Sequence, residues 1–273
     1  MLNKGLKIGI RRLASRLKPG NYIDDHFDQI EIETTTFCNR KCSYCPNVKY
    51  ERFGPEDDFY MNSNVFEKLI IDLSENNFKG ILAPHHYGEP LSDGSLYLKL
   101  DFIHRYLPEA KIKIVTNGDY LNLITYKELI SRGVKIINIS KHSEHLSDGC
   151  NQLLLAIKND KTNEFKVHPK VIDFWKDFKN ESEYLFNRGG DIKIKEAKLN
   201  PIKCVYASYP VINVYGDLIL CCQDYKSDYI LGNIMETSIY EIWRSSENKL
   251  MRERIMRSYF DNDICKNCLF TSV

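Results

Sequence analysis

The sequence has little net charge, no long apolar run and no low-complexity segment. Its 38 basic and 37 acidic residues give a formal net charge of +1, so the chain as a whole does not attract nucleic acid, and we expect no nucleic-acid partner. No run of 18 apolar residues is present, which argues against a membrane-spanning helix. The first residues also lack the continuous apolar stretch and cleavage site of a secretory signal. These absences predict a cytoplasmic protein.

One charged segment stands apart near the N-terminus. Residues 1–20 contain six basic residues and no acidic residue, and their apolar residues recur at helical spacing, which predicts a short basic amphipathic helix. Pro19 and Gly20 end it. Such a helix could contact an anionic membrane surface, but a single short helix more often packs against its domain, and we expect that role here.

Strands and helices alternate over the first two thirds of the chain, which at 43% hydrophobic residues can bury a full core. We predict strands at 29–34, 80–86, 112–115 and 134–140, and helices at 65–74, 95–106, 126–131 and 145–157. This order predicts an α/β fold with a parallel sheet and functional groups at the carboxyl ends of its strands. After residue 192 the pattern changes to a hairpin of strands 210–213 and 218–222, followed by a helix at 239–258.

Nine cysteines fall into two groups that are separated by a long stretch of ordinary sequence. In a reducing compartment they indicate metal or redox chemistry rather than disulfides. The first group, in CNRKCSYC, is Cys38, Cys42 and Cys45. Three thiolates on so short a loop can hold a [4Fe-4S] cluster and leave one iron open, and an open iron can bind the amino and carboxylate groups of S-adenosylmethionine. The alternatives are a zinc knuckle or loose thiols, but a fourth zinc ligand is missing nearby.

This spacing, with an aromatic residue before the third cysteine, resembles the signature of the radical S-adenosylmethionine superfamily. The motifs YGEPL and TNG follow in the superfamily's order. The resemblance implies that the GEP segment engages the methionyl amine of the cofactor, through its Glu or its carbonyls, and that TNG lines the ribose and adenine. The cofactor-binding residues that the resemblance implies are Tyr44, Tyr87, Gly88, Glu89, Pro90, Asn117, Ser140 and His142.

The second cysteine group surrounds the predicted hairpin and ends in CKNC. Cys265 and Cys268 form a CxxC, and Cys204 with either Cys221 or Cys222 could complete four ligands for zinc or for a closed [4Fe-4S] cluster. The arrangement resembles the shortened SPASM, or twitch, domain, which holds an auxiliary [4Fe-4S] cluster. Within that pattern Cys222 takes the ligand position, and Cys221 faces the other side of its strand because strand side chains alternate.

Further motifs, including FNRGG and VYGDLILCC, resemble the small two-cluster dehydrogenases of antibiotic biosynthesis in this superfamily over residues 28–270. The resemblance implies a partial, TIM-like (β/α) barrel over residues 28–195 and a small α+β auxiliary-cluster domain over residues 196–273, preceded by an extension at 1–27. It also implies reduced flavodoxin or ferredoxin as electron donor.

The implied reaction is oxidation of an alcohol of a sugar, cyclitol or related polyol to a ketone. A 5′-deoxyadenosyl radical takes hydrogen from the carbinol carbon, and the closed cluster accepts an electron. Arg188, in NRGG, matches the position that contacts the oxidised hydroxyl, and its guanidinium can stabilise negative charge there. Gln223 would not select a substrate amine as a carboxylate would. The basic N-terminal segment hints at a phosphorylated, nucleotide-linked or lipid-linked substrate.

Three other functions remain open. A radical epimerase of a sugar or peptide would use a thiol as hydrogen donor, and Cys150 and Cys221 are the spare thiols. A peptide-modifying SPASM enzyme usually carries a leader-recognition domain, for which the first 27 residues are too few. A zinc-stapled binding module would require the first cysteine group to be accidental.

Overall fold

The structure is a computed structural model that describes residues 25–49, 60–175, 187–192, 204 and 206–268. Its strands are β1 (Gln29–Ile32), β2 (Ile81–Ala83), β3 (Lys111–Thr116), β4 (Val134–Lys141), β5 (Lys170–Asp173), β6 (Val211–Ile212), β7 (Asp217–Ile219) and β8 (Ile230–Asn233). Its α-helices are α1 (Ser63–Glu75), α2 (Leu96–Tyr106), α3 (Leu123–Ser131), α4 (Asp148–Asn159), α5 (Ile239–Arg244), α6 (Ser246–Met256) and α7 (Asp263–Asn267). The basic helix predicted within residues 1–20 lies outside the described residues.

All eight strands belong to one sheet, in the order β5-β4-β3-β2-β1-β6-β7-β8. Neighbouring strands from β1 to β5 are parallel, and helices α1 to α4 connect them in turn, because parallel neighbours require a crossover. This confirms the α/β fold with a parallel sheet. Strand β6 continues the sheet in parallel on the other side of β1, and β7 and β8 follow in antiparallel order. The predicted barrel and the predicted hairpin therefore share a sheet.

One face of the sheet is apolar and packs against the helices. Its buried residues are Ile30 and Ile32 in β1, Leu82 in β2, Ile112 and Ile114 in β3, and Ile137 and Ile139 in β4. The same core includes Phe66 of α1 and Leu100 of α2. Because successive strand residues point to opposite faces, Glu31 of β1 and Lys113 of β3 lie on the other face. That second face carries the polar side chains of the candidate site.

Two expectations from the sequence need correction. The helix predicted at 239–258 is two helices, because Ser245 adopts a non-helical conformation and its side chain accepts a hydrogen bond from the Asn248 amide to begin α6. Strands β5 and β8 were not predicted. In β8, Ile230 is 54% exposed and Gly232 has a φ of 156°, so this strand lacks the alternating apolar pattern by which strands are recognised.

All nine cysteines lie in the described residues, and none forms a disulfide. In the part of the chain that the structure describes, every helix is too short or too polar to cross a lipid bilayer.

Candidate active site

The first cysteine group lies on the loop that leaves the carboxyl end of β1. The Cys45 amide donates a hydrogen bond of 2.9 Å to the Cys42 carbonyl, which folds the loop back on itself. Burial, with the charges of Glu89, Cys45 and Cys42, raises the pKa of Cys38 to about 11, although a backbone hydrogen bond from Arg40 opposes the rise. Three thiols that oppose each other's ionisation need a cation to become thiolates together. The arrangement therefore fits an iron-sulfur cluster, whose irons supply that charge.

The cysteine loop is tied to the end of β3 by polar contacts. Arg40 donates to both carboxylate oxygens of Asp119, at 2.7 and 2.5 Å, and Asn39 donates to the same carboxylate at 2.7 Å. Hydrogen bonding from Arg40 lowers the pKa of Asp119. The Asn117 amide group donates to Asn39 at 2.8 Å and lies 3.9 Å from the Cys38 sulfur. These contacts bring the predicted cofactor residue Asn117 to the first cysteine group.

The GEP segment packs directly against the same loop. A Cβ on Gly88 would lie 2.1 Å from the carbonyl oxygen of Thr35, so only glycine permits this approach. The Glu89 amide donates to the Phe37 carbonyl at 2.8 Å, and Pro90 is buried at the start of a 3₁₀ turn. The segment is thus fixed beside the cysteine loop through its backbone.

The Glu89 carboxylate accepts hydrogen bonds from other residues of the protein. Its donors are the Thr116 hydroxyl at 2.6 Å, the Asn117 backbone N–H at 2.7 Å and the Leu91 backbone N–H at 3.1 Å. Burial nevertheless raises its pKa. Because these donors use the carboxylate oxygens, the loop carbonyls are better placed than Glu89 to accept hydrogens from an ammonium group.

Glu89→Gln is expected to destabilise the protein by about 2–3 kcal/mol, because the buried donors of Thr116 and Asn117 lose a charged acceptor. The urea midpoint of the anaerobic, reconstituted protein measures this change. Glu109→Gln is the matched control, since the Glu109 side chain is 67% exposed and forms a surface ion pair with Lys79, and we expect less than about 0.5 kcal/mol there. Equal midpoints for both variants would show that Glu89 does not hold the two loops together.

Tyr44 and His142 meet across the opening between the loop and β4. The Tyr44 hydroxyl lies 2.6 Å from Nδ1 of His142, and the His142 ring stacks on Phe174 with centroids 5.3 Å apart. Burial, with the charges of Arg40 and Arg188, lowers the pKa of His142 to about 4, so the ring is neutral near pH 7. Ser140 is buried at the end of β4. The structure therefore gathers these predicted cofactor residues at one sheet edge, while their contacts with the cofactor stay predictions.

Arg188 reaches from a turn toward the polar face of the sheet. Its guanidinium lies 5.1 Å from the centroid of the Tyr87 ring, and the Tyr87 hydroxyl donates to the Cys222 carbonyl at 2.9 Å. Burial, with the charges of Lys113 and Arg188, lowers the pKa of His85 to about 3. The charge of Arg188 also acts on His142 and on Cys222.

The backbone of this turn is unusual. Arg188 itself has a φ of 51° and Gly189 a φ of 63°, the left-handed region in which a side chain costs about 1 kcal/mol or more. A Cβ on Gly189 would also lie 3.1 Å from a methyl group of Ile264 in α7. The paired glycines therefore let the turn sit against α7 while Arg188 projects into the site.

The second cysteine group gathers around Cys221. Cys221 and Cys265 are buried in one small apolar cluster, and Cys204 packs against that cluster. Burial raises the pKa of Cys221 well above its ordinary value, and the charges of Cys222, Cys204 and Cys265 contribute. Cys204 and Cys268 in turn act on Cys265. Cys204, Cys221, Cys265 and Cys268 thus act on one another, and Cys222 acts on Cys221 as well.

Cys222, the ligand that the resemblance implies, has a different set of contacts. Its sulfur lies 3.6 Å from both the Tyr209 hydroxyl and the Gln223 side-chain nitrogen, and the charges of Glu31 and Arg188 act on it. Residues 218–221 are all buried and β7 ends before the pair, so alternation along the strand does not separate the two cysteines. Which of Cys221 and Cys222 is the ligand stays a prediction.

No three His, Cys, Asp or Glu side chains of the described ranges are arranged around a single metal ion. A four-iron cluster sets its thiolate ligands further apart than one ion does. The thiol arrangement therefore gives no support to the zinc alternatives for either group.

A pocket of about 480 Å³ lies where the Arg188 turn meets residues 223–228 and α7. Gln223 lines it and is 3% exposed, and its side-chain oxygen has no hydrogen-bond partner within the described residues. A buried acceptor without a partner is costly, so this oxygen is suited to a ligand hydroxyl or amine. The structure thus places Arg188 and Gln223 at the same cavity.

Two family models match the parts of the sequence that contain the two cysteine groups. A family model described as the radical SAM superfamily matches residues 32–151, and one described as the SPASM iron-sulfur cluster-binding domain matches residues 204–269. The S-adenosyl-L-methionine-dependent 2-deoxy-scyllo-inosamine dehydrogenase of Niallia circulans is 29% identical over 256 residues, which is 92% of this chain and 96% of the relative. A GTP 3′,8-cyclase of Nautilia profundicola is 32% identical over 42% of this chain and 35% of its own length.

Solved structures show the same similarity. BtrN in complex with AdoMet and 2-DOIA superposes with a TM-score of 0.76 and 27% identity, over 90% of this chain and 94% of BtrN. The native anSMEcpe structure with bound AdoMet gives a TM-score of 0.56 at 14% identity, over 88% of this chain and 86% of anSMEcpe. The second match supports the fold alone.

Proposed function

We propose that this chain, which the radical SAM and SPASM family models match, is a radical S-adenosylmethionine enzyme that oxidises one alcohol of a cyclitol or related polyol to a ketone. The observation that carries the proposal is the place of Arg188, whose guanidinium lies over Tyr87 and whose charge acts on His85 and Cys222. A guanidinium there can hold the oxygen of a reacting hydroxyl and stabilise negative charge on it.

The residues present fit two clusters. Cys38, Cys42 and Cys45 would hold the cluster that binds S-adenosylmethionine, and Cys204, Cys221, Cys265 and Cys268 would hold the auxiliary one. When bound, these groups supply a radical that removes hydrogen from a C–H bond and an acceptor for one electron. The protein binds and orients the alcohol between them, with Tyr87 fixing Arg188 and the Gln223 oxygen accepting a second hydroxyl.

The substrate class follows from the relatives and from the polar residues of the pocket. The named relatives act on an aminocyclitol, 2-deoxy-scyllo-inosamine, or bind 2-DOIA. Here the pocket offers the neutral Gln223, which does not require a positively charged partner. We therefore propose a polyhydroxylated ring that need not carry an amine. A phosphorylated, nucleotide-linked or lipid-linked form, a reduced flavodoxin or ferredoxin as donor, and a cytoplasmic location stay proposals.

Ketone and 5′-deoxyadenosine are expected to form together when reduced, reconstituted protein meets a cyclitol deuterated at the reacting carbon. Mass spectrometry follows the transfer of deuterium to 5′-deoxyadenosine, with 2-deoxy-scyllo-inosamine and its hydroxyl analogue as first substrates. Arg188→Met is expected to lower ketone formation by about 100- to 1,000-fold, because the developing oxyanion loses its donor. Deuterium transfer without any ketone in the unmodified enzyme would contradict an oxidation.

The epimerase stays a second candidate, and Cys222 is the observation in its favour. Burial raises the pKa of Cys222 to about 12, which keeps it as S–H, the form that donates a hydrogen atom. Of the two spare thiols considered from the sequence, Cys150 is buried in the apolar core and Cys221 lies in the small cluster that also contains Cys265. In an epimerase, Cys222→Ala abolishes the inverted product and keeps 5′-deoxyadenosine, whereas a dehydrogenase still makes ketone.

A further inference from the structure

Oxidation of an alcohol releases a proton as well as a hydrogen atom. The hydrogen atom leaves the carbon, and the hydroxyl proton must go to a base. Arg188 is too basic to accept it, because a guanidinium stays protonated in proteins. The proposed reaction therefore requires a second group, close to Arg188, that can take up a proton.

Glu31 lies on the polar face of the sheet. It is the third residue of β1, between Ile30 and Ile32, whose side chains are fully buried on the helix side of the sheet. Because strand side chains alternate, the Glu31 carboxylate points to the polar face. It is 8% exposed, so a substrate in the site would meet it with little water between them.

The groups around Glu31 connect it to the site residues already described. The charges of Lys113 and Arg188 act on its carboxylate, and Tyr209 donates a hydrogen bond to it. The same Tyr209 hydroxyl lies 3.6 Å from the Cys222 sulfur. Gln29, on the same strand, donates to the carboxylate at 3.3 Å. Glu31 thus shares one polar cluster with Arg188.

The pKa of Glu31 is suitable for a general base that works near neutral pH. Burial raises its pKa to about 6, while the charge of Lys113 and the hydrogen bond from Tyr209 limit the rise, as does the charge of Arg188. A base is most effective when its pKa lies near the working pH. Glu89, also buried, differs because Thr116 and Asn117 already donate to it.

We propose that Glu31 accepts the hydroxyl proton of the substrate carbinol while Arg188 holds the carbinol oxygen. The step rests on the proposed function. The hydrogen atom leaves the carbon for the cofactor-derived radical, and the O–H bond then breaks with its proton forming a new O–H bond on Glu31. One electron passes to the auxiliary cluster, which is reduced, and the carbon-oxygen double bond forms.

The first test replaces Glu31 with its uncharged isostere. Glu31→Gln is expected to lower ketone formation by about 100-fold or more, while deuterium transfer from substrate to 5′-deoxyadenosine continues and the iron content is unchanged. Glu31→Asp keeps a carboxylate and is expected to restore part of the ketone. Glu67→Gln, on the exposed face of α1, is the control and is expected to match the unmodified enzyme.

A second readout does not depend on turnover. In the cluster-loaded protein without S-adenosylmethionine, an infrared carbonyl band from protonated Glu31 is expected to disappear as the pH rises through about 6. The same band should be missing from Glu31→Gln. Since the Lys113 charge lowers the pKa of Glu31, Lys113→Met should move both this midpoint and the rise of ketone formation to higher pH.

The outcomes separate the inference from the proposed function. An unmodified enzyme that makes no ketone contradicts the proposed function. Ketone formation by Glu31→Gln within about threefold of the unmodified enzyme overturns the role of Glu31 and leaves the oxidation intact, because general bases contribute far more than this. Carbonyl bands of equal intensity in Glu31→Gln and in the unmodified protein, or a midpoint that Lys113→Met does not move, also overturn it.

Discussion

Replacing Cys42 with alanine is expected to abolish formation of 5′-deoxyadenosine and to leave half of the iron in the protein. The Cys42 side chain is part of a half-buried loop outside the apolar core, so its loss removes a ligand without opening a cavity. The hydrogen bond that folds this loop uses the Cys42 carbonyl, which alanine retains. The cluster that binds the cofactor is then incomplete, whereas the second cysteine group lies on different elements and keeps its own.

Iron and sulfide analysis after anaerobic reconstitution, together with chromatography of 5′-deoxyadenosine, measures both effects. Cys150→Ala is the matched control, because it also removes one thiol but from the apolar core. It is expected to lower stability by about 1–2 kcal/mol through a small cavity and to keep the iron and the cofactor cleavage. A Cys42→Ala protein that still cleaves S-adenosylmethionine would show that these three cysteines do not hold the reactive cluster.

The parallel sheet and the first cysteine group were predictable because the signals for both are local. Ile30 and Ile32 alternate with polar residues in β1, which is the pattern of a strand with one buried face. The spacing of Cys38, Cys42 and Cys45 within one loop determines their proximity almost regardless of the fold. The division of the chain into domains and the contacts of the cofactor residues stay predictions.

The residues that surround Glu31 on the polar face of the sheet were not predictable from the local sequence pattern. The alternation in QIEIET places Glu31 on the face of β1 opposite the apolar residues. That pattern predicts a polar environment for Glu31 but does not identify its partners. Its importance depends on Arg188 and Tyr209, which lie far along the chain and meet it only after β6 pairs with β1. Spacing in the sequence contains no such information.

Cys221→Ala is expected to remove half of the iron, whereas Cys222→Ala is expected to keep all of it. The two residues are neighbours, so both variants share any effect that loss of a thiol has on the local backbone. Each variant is therefore the control for the other. Cys221 lies among Cys204 and Cys265 in a small buried cluster, while Cys222 contacts Tyr209 and Gln223.

The two variants should therefore differ in cluster content and in ketone formation. Cys221→Ala loses the auxiliary cluster and with it the electron acceptor, so ketone formation is expected to fall below detection while the first cluster still cleaves S-adenosylmethionine. Cys222→Ala keeps both clusters, and any change in its turnover reports on the pocket beside Glu31 and Arg188. Iron analysis of both proteins decides the question, and loss of iron from Cys222→Ala alone would support the assignment made from the sequence. Because Cys221 and its neighbouring thiols are buried and raise each other's pKa, the positive charge of a cluster there would let them ionise together.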